Sequence, residues 1–113
     1  MDRIALRRHG RPDLVFEGFL VAHIRESTAM AGDVDLAIYR TRSGKLILAS
    51  TAWAGEAGDR DGLCKALSFA CADDMCLFLE EQGAFVDVNA CLLRRAAQSD
   101  IAFRDVMAPA VTA

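Results

Sequence analysis

The sequence predicts an α+β fold, in which an antiparallel meander of three to four strands precedes two or three helices packed on one face. Apolar residues alternate with a period of two in the first half of the chain. Glycine and proline interrupt this alternation, and the apolar spacing in the second half becomes helical. We expect a single domain, because 113 residues can bury a working core.

A β-hairpin over residues 33–53 is the strongest local pattern. Val34, Leu36 and Ile38 alternate with less apolar residues, which indicates one buried face and one mixed face. Gly44 follows, and glycine readily adopts the positive φ that a short hairpin loop requires. The alternation then resumes to the end of this range, which predicts the second strand of the hairpin.

Two further strands are predicted before the hairpin, a short one over residues 4–6 and a longer one over residues 14–25. Gly18 lies in the middle of the longer strand, which predicts a bulge or a side chain packed closely above it. Both faces of this strand carry apolar residues, so we expect a central strand or one whose second face meets another surface. One face holds Phe16, Leu20 and Ile24, and the other holds Val15, Phe19 and Val21.

The stretch over residues 54–62 is predicted to be a loop, because it contains three glycines and no periodicity. Residues 63–107 are predicted to be helical, and their apolar spacing fits helices. We expect the first helix to begin after Asp61 as its N-cap and to end at Gly83.

Two more helices complete the predicted helical half. One is expected to run from Asp87 or Asn89 to about Ala97, and the other covers residues 101–107. A proline then ends regular structure, and the tail over residues 108–113 is expected to fray.

The charge distribution gives one candidate contact with nucleic acid. The formal net charge is −3, so bulk charge does not favour nucleic acid as a partner. Residues 1–12 nevertheless hold four arginines and one aspartate, and Arg7, Arg8 and Arg11 are candidates for binding phosphates. An alternative is that this charge discourages edge-to-edge pairing of strands.

Several features favour a cytoplasmic protein that does not enter a membrane. No apolar run reaches the roughly 18 residues that a membrane helix needs, and the N-terminus lacks the apolar core of a secretion signal. The four cysteines are then expected to be reduced thiols. Alanine is abundant and arginine outnumbers lysine, a composition typical of bacteria with GC-rich genomes.

The cysteine spacing predicts neither a disulfide nor a metal knuckle. In the predicted first helix, about 10 Å of rise separates Cys64 from Cys71, which is too far for a disulfide. No pair has the spacing of a CxxC metal site. Buried, unreactive thiols are the simplest expectation.

The search for a catalytic or metal site yields only a weak set of ligands. His23 is expected near Asp33 and Asp35 if the strands pair as proposed, and Cys64 could join them in a pocket between sheet and helices. No nucleophile motif and no glycine-rich phosphate loop occurs. We therefore predict no catalytic residues, no bound metal and no cofactor.

One motif is shared with a known group of proteins. Phe16-x-Gly18, then Ala22, then Tyr39-Arg40-Thr41-x-x-Gly44, resembles the hairpin of small bacterial EXLDI-type proteins. The resemblance covers about a third of the chain, and the helical half departs from that pattern. It implies a similar hairpin and carries no function to this chain.

These observations predict a non-enzymatic protein that acts through a protein interface, as an adaptor, a regulator or an immunity-like accessory protein. Its surplus of apolar surface also favours a homodimer. Phe19, Val21 and Trp53 are the predicted interface residues, because aromatic anchors commonly dominate binding energy. A small-molecule or metal-binding module, and a regulator that contacts nucleic acid, stay open as alternatives.

Overall fold

The structure, a computed structural model, describes residues 1–28, 32–53, 63–81 and 86–107. Within these ranges the chain forms five strands followed by three helices, which is an α+β fold. None of the described helices has the length and apolar character needed to cross a membrane. The elements are β1 (Asp2–Arg8), β2 (Arg11–Thr28), β3 (Gly32–Thr41), β4 (Leu46–Trp53), β5 (Leu63–Phe69), α1 (Ala72–Glu80), α2 (Val86–Ser99) and α3 (Ile101–Met107).

Part of the predicted helical half lies outside the described residues. This holds for the loop over residues 54–62, for Asp61 and Gly83 as caps of the first helix, and for the tail over residues 108–113. The outcome for the first helix therefore depends on residues 63–81.

The predicted β-hairpin is confirmed, with β3 and β4 paired antiparallel along their length. Gly44 adopts a φ of +89° in the connecting turn, as its position in the loop requires. The Thr41 amide donates to the Lys45 carbonyl at 2.8 Å, and the Gly44 amide donates to the Thr41 carbonyl at 2.9 Å. These two bonds close the turn and fix the register of the two strands.

The five strands form one antiparallel sheet in the order β1-β2-β3-β4-β5, so the predicted meander is confirmed but the predicted count of three to four strands is too low. β1 and β2 also extend beyond the ranges predicted for them. The sheet curls until its two edges meet, and the His9 amide donates to the Cys64 carbonyl at 2.8 Å.

The curl encloses the sheet face opposite the helices, which we call the inner face. Ala37 and Ile47 belong to this face, since they alternate with the helix-covered residues of β3 and β4, yet they are only 5% and 4% exposed. The Phe16 ring lies against Tyr39, with 5.8 Å between ring centroids. The inner face is therefore buried by the sheet itself.

Residues 63–69 form a strand, so the prediction of a helix at this point is wrong. β5 pairs with β4 and places Leu67 opposite Leu48. α1 begins only at Ala72, after Cys71 with extended backbone. Large side chains alternate with small ones along β5, and this period of two, together with an available partner strand, outweighs helical propensity.

The later helices agree better with the prediction. α2 covers the predicted segment and is longer at both ends, and α3 is confirmed at residues 101–107. The Asp100 carboxylate accepts from the Ala102 amide at 2.9 Å, which satisfies a free donor of the first turn of α3. Asn89 is not a cap of α2, because it lies inside that helix and its side-chain amide donates to the Leu79 carbonyl at 3.0 Å.

The main hydrophobic core lies between the helices and the facing side of the sheet. Residues from β2, β3 and β4 meet residues from all three helices there, which buries the apolar face of each element. The largest fully buried side chains are Phe103, Ile38, Leu46, Met75 and Leu92.

Gly18 lies where the backbones of β2 and β3 approach too closely for a side chain. A Cβ atom at this position would collide with the backbone carbonyl oxygen of Arg40, so the group that limits space at Gly18 is a neighbouring backbone and not the side chain that the sequence predicted. The irregularity of β2 comes later, where the register shifts between Leu20 and Ala22. The intervening Val21 is the extra residue of this bulge.

One charged contact joins the sheet to the helices. The Arg40 guanidinium donates through Nε and Nη2 to the two carboxylate oxygens of Asp100, each at 2.9 Å. The side chains of Arg40 and Asp100 are only 25% and 9% exposed. Paired bonds of this kind fix orientation as well as distance, so this contact positions the junction between α2 and α3 over β3.

The Gly18→Ala variant is expected to lower the free energy of unfolding by about 1–3 kcal/mol, because the added methyl forces β2 and β3 apart. Urea denaturation followed by circular dichroism measures this difference. An unchanged midpoint would show that the strands separate here without cost.

The Asp100→Asn variant is expected to lose about 1.5–3 kcal/mol of stability, since it removes the charge that Arg40 contacts and retains a capping oxygen. Glu17→Gln is the matched control, because it breaks the exposed Glu17–Arg42 ion pair and should cost less than about 1 kcal/mol. Equal losses in urea denaturation would contradict a special role for the Arg40–Asp100 pair.

Candidate functional site

An uncovered apolar area lies on the helix side of the sheet, beyond the helices themselves. Ala5, Val15, Glu17 and Phe19 share this face by strand register, and we call them the outer patch. Val15 is 47% exposed and Phe19 is 42% exposed. Glu17 lies between these two residues on the same face, so they are about 13 Å apart along β2. Large exposed apolar residues that share a face can mark an interaction surface.

An ion pair borders the outer patch. The Arg42 guanidinium donates to the Glu17 carboxylate at 3.0 Å, and both side chains are largely exposed. The Arg42 amide also donates to the Glu17 carbonyl at 2.8 Å. The patch therefore has an aromatic centre with charges of both signs at its margin, which is the usual arrangement of a protein interface.

The other two predicted interface residues do not join Phe19. Val21 is 8% exposed and belongs to the core, and its carbonyl accepts from the Ser99 hydroxyl at 2.7 Å. Trp53 pairs with Asp33 and therefore faces the inner side of the sheet. The Arg25 guanidinium lies 4.8 Å from the centre of the Trp53 indole, a distance at which a cation and a ring attract each other.

All four predicted ligand residues share the inner face by strand register, but the contacts described for them are separate. His23 Nε2 lies 2.9 Å from each carboxylate oxygen of Asp35. The Cys64 sulfur lies 3.6 Å from the Thr51 hydroxyl. Asp33 accepts instead from the Ser27 hydroxyl.

The described residues include no group of three His, Cys, Asp or Glu side chains that could hold a metal ion. A nucleophile and its base need contact at about 3 Å, whereas the contact described for His23 is with Asp35 and that described for Cys64 is with Thr51.

Tyr39 is another polar residue on the inner face of the sheet. Burial raises its pKa, and the nearby Asp35 carboxylate adds to the effect. Both influences disfavour the phenolate. Tyr39 therefore acts here as a neutral hydroxyl packed against Phe16.

The N-terminal arginines do not form one strip. Along β1, residues alternate between exposed and half-buried, so Arg7 and Arg8 lie on opposite faces. Arg8 Nε donates to the Pro12 carbonyl at 2.8 Å. Arg11 lies across from Arg8 at the turn between β1 and β2 and is exposed.

A cavity of about 350 Å³ lies between the helix side of the sheet and the first two helices. Residues of β3 and β4 form its floor, α1 and α2 form one wall, and β5 forms its rim. A second cavity of about 330 Å³ lies among the three helices. Leu79 and Asn89 line both cavities and separate them.

The sequence prediction of a helix over residues 63–69 did not include the first cavity, because the rim of this cavity is formed by a strand. Leu63, Lys65 and Leu67 reach it as alternate residues of β5. The alternation of large and small side chains in this segment was the signal for a strand. Val15 was not among the predicted interface residues for a different reason. Its exposure depends on where the helices end.

The four cysteines form no disulfide and differ in exposure. Cys71 is exposed, whereas Cys76 is buried in α1. Burial raises the pKa of the Cys76 thiol to about 11, and the charges of Glu80 and Asp73 contribute further. Because the thiolate is the reactive form of cysteine, Cys76 is protected from modification both by its burial and by its raised pKa.

Ellman's reagent at pH 8 is expected to modify Cys71 first and Cys76 only after unfolding. The rise of the Cys76 pKa from 9.0 to about 11 lowers its thiolate fraction about a hundred-fold at this pH. A Cys71→Ser variant should lose the fast phase, as followed by absorbance and by mass spectrometry of peptides. Rapid labelling of Cys76 in folded protein would contradict this order.

Comparison of the chain with family models, with curated proteins and with solved structures finds no match. The arrangement of its own side chains is therefore the basis for inferring what the protein does. Among the described residues, the outer patch and the cavity beside β5 are the two surfaces whose composition points to binding.

Proposed function

We propose that this chain is a non-enzymatic bacterial protein that acts through a protein interface centred on Phe19, and that it associates with a second copy of itself. The exposure of Phe19 at 42%, on the same sheet face as Val15 at 47%, is the observation that supports this most directly. A phenyl ring in water loses the free energy that burial would supply, and aromatic residues dominate many interfaces.

The charges beside Phe19 suit a two-fold symmetric contact. In such a contact the same patch faces itself, so residue i of one copy meets residue j of the other and the reverse. Glu17 and Arg42 provide charges of opposite sign next to each other. A second copy related by a two-fold axis can place its Arg42 against Glu17 while the two Phe19 rings meet at the centre.

The proposed interface retains Phe19 and does not include Val21 or Trp53. Val21 is buried beneath the helices, and Trp53 lies on the inner side of the sheet beside Arg25. Val15 and the aliphatic part of Arg42 take their place in the proposal. This surface is compatible with an adaptor, a regulator or an immunity-like accessory protein, since each acts by contact alone.

The alternatives receive less support from the described residues. His23 and Asp35 contact each other, and Asp33 and Cys64 contact other side chains, so the proposed metal ligands do not converge. Arg8 is half-buried and bound to a backbone carbonyl, which leaves a shorter basic strip for nucleic acid. The four free cysteines support our proposal of a cytoplasmic location.

The Phe19→Ser variant is expected to weaken self-association about thirty-fold or more, because an interfacial aromatic anchor contributes about 2 kcal/mol or more. Sedimentation velocity over a range of protein concentrations measures the dissociation constant. Leu20→Ser is the matched control, since Leu20 is 52% exposed but faces the other side of the sheet, opposite Tyr39.

The proposal requires a concentration-dependent dimer that Phe19→Ser weakens and Leu20→Ser preserves. A monomer at all concentrations would remove self-association from it. Equal weakening by both variants would show that the interface lies elsewhere or that either change disturbs the strand. Circular dichroism of both variants distinguishes these two cases.

A further inference from the structure

The cavity beside β5 has the size and composition of a small-molecule site. Its volume of about 350 Å³ lies within the range of about 300–1,000 Å³ that ligand pockets occupy. The floor is apolar and includes Leu36 and Leu48, and Phe78 of α1 lies on the facing wall. These walls favour an apolar ligand body, because they offer burial and few polar partners.

The cavity opens at the edge of the sheet. Leu63 and Leu67 line it and are 42% and 41% exposed, so their side chains lie between the cavity and the outside. Both residues belong to β5, which is paired with β4 on one side only apart from the contact at His9. We expect a ligand to enter past this strand, because Leu63, Lys65 and Leu67 are exposed.

One charged residue lies at the exposed rim of the cavity. Lys65 lies between Leu63 and Leu67 on the same face of β5, it is exposed, and of the described residues lining the cavity it is the only one with a charge. It pairs across the sheet with Ser50, which also lines the cavity. The ammonium and the hydroxyl provide donors at this rim, whereas the amide of Asn89, the other polar lining residue, already donates to the Leu79 carbonyl.

We propose that this cavity binds a monocarboxylate with an apolar chain, its carboxylate at Lys65 and Ser50 and its chain over Leu36, Leu48 and Phe78. A carboxylate accepts charge-assisted hydrogen bonds from an ammonium, whereas a cationic ligand would be repelled. The net charge of the chain is −3, which disfavours a polyanion such as a nucleotide. A single negative charge on an apolar body matches the single cation.

This inference is independent of the proposed protein interface, because its residues lie on β3, β4, β5 and α1, whereas those of the interface lie on β1, on β2 and in the turn after β3. Loss of self-association would therefore leave ligand binding intact. Failure of ligand binding would likewise leave the Phe19 interface untested by that experiment and open to its own measurement.

Titration of the ¹⁵N-labelled full chain with octanoate, with octan-1-ol and with octylammonium tests the proposal. We expect octanoate to shift the amide resonances of β5 and of the cavity floor. Octan-1-ol should bind about ten-fold more weakly, since it lacks the charge that a strong hydrogen bond to an ammonium requires. Octylammonium should bind more weakly than the alcohol.

Lys65→Gln should reduce the affinity for octanoate about ten-fold and leave the affinity for octan-1-ol unchanged. Lys45→Gln is the matched control, because Lys45 is an exposed lysine in the hairpin turn, away from the cavity. Equal affinity for octanoate and octan-1-ol, unaltered octanoate binding by Lys65→Gln, shifts confined to another surface, or no shifts at millimolar octanoate would each overturn the proposal.

Discussion

The paired hydrogen bonds between Arg40 and Asp100 determine how the two layers of this fold meet. Arg40 lies at the end of β3 with Phe19 on one side and Leu46 on the other. Its carbonyl oxygen sets the space at Gly18, and its guanidinium holds Asp100. Because Asp100 also caps α3, one side chain links the register of the sheet to the placement of a helix. The helices leave Phe19 uncovered, and this residue is 42% exposed.

Local patterns were sufficient to predict the centre of the fold. The alternation around Val34 and the glycine at position 44 gave the hairpin and its turn, since both depend on neighbouring residues. Residues 63–69 fit a helix in sequence because Leu63 and Leu67 lie four residues apart, a spacing that places both on one face of a helix as well as of a strand. The alternation of large and small residues favours the strand, and pairing with β4, which is a long-range property, stabilises it.

The candidate site shows the same limit. The sequence pattern brought His23 and Asp35 together correctly, because their distance depends on the register of one pair of strands. The outcome for Val21 depends on the helices, which cover it but leave Phe19 exposed. The bulge before Ala22 brings Ala22 and Ile24 to the same core-facing side. Local sequence patterns could not predict the cavity, because it forms only where β5, α1 and α2 come together in the fold.

The bulge in β2 also has a consequence for how this protein can change over generations. It separates a first half of the strand, which shapes the uncovered surface, from a second half, which packs beneath α2. Selection can therefore alter residues 11–19 to suit a new partner while the packing of residues 22–27 is conserved. Phe16 and Gly18 are exceptions within the first half, since the Phe16 ring packs against Tyr39 and the absence of a side chain at Gly18 leaves room for the neighbouring strand. A lineage that diversified its partners would thus vary around an unchanging glycine.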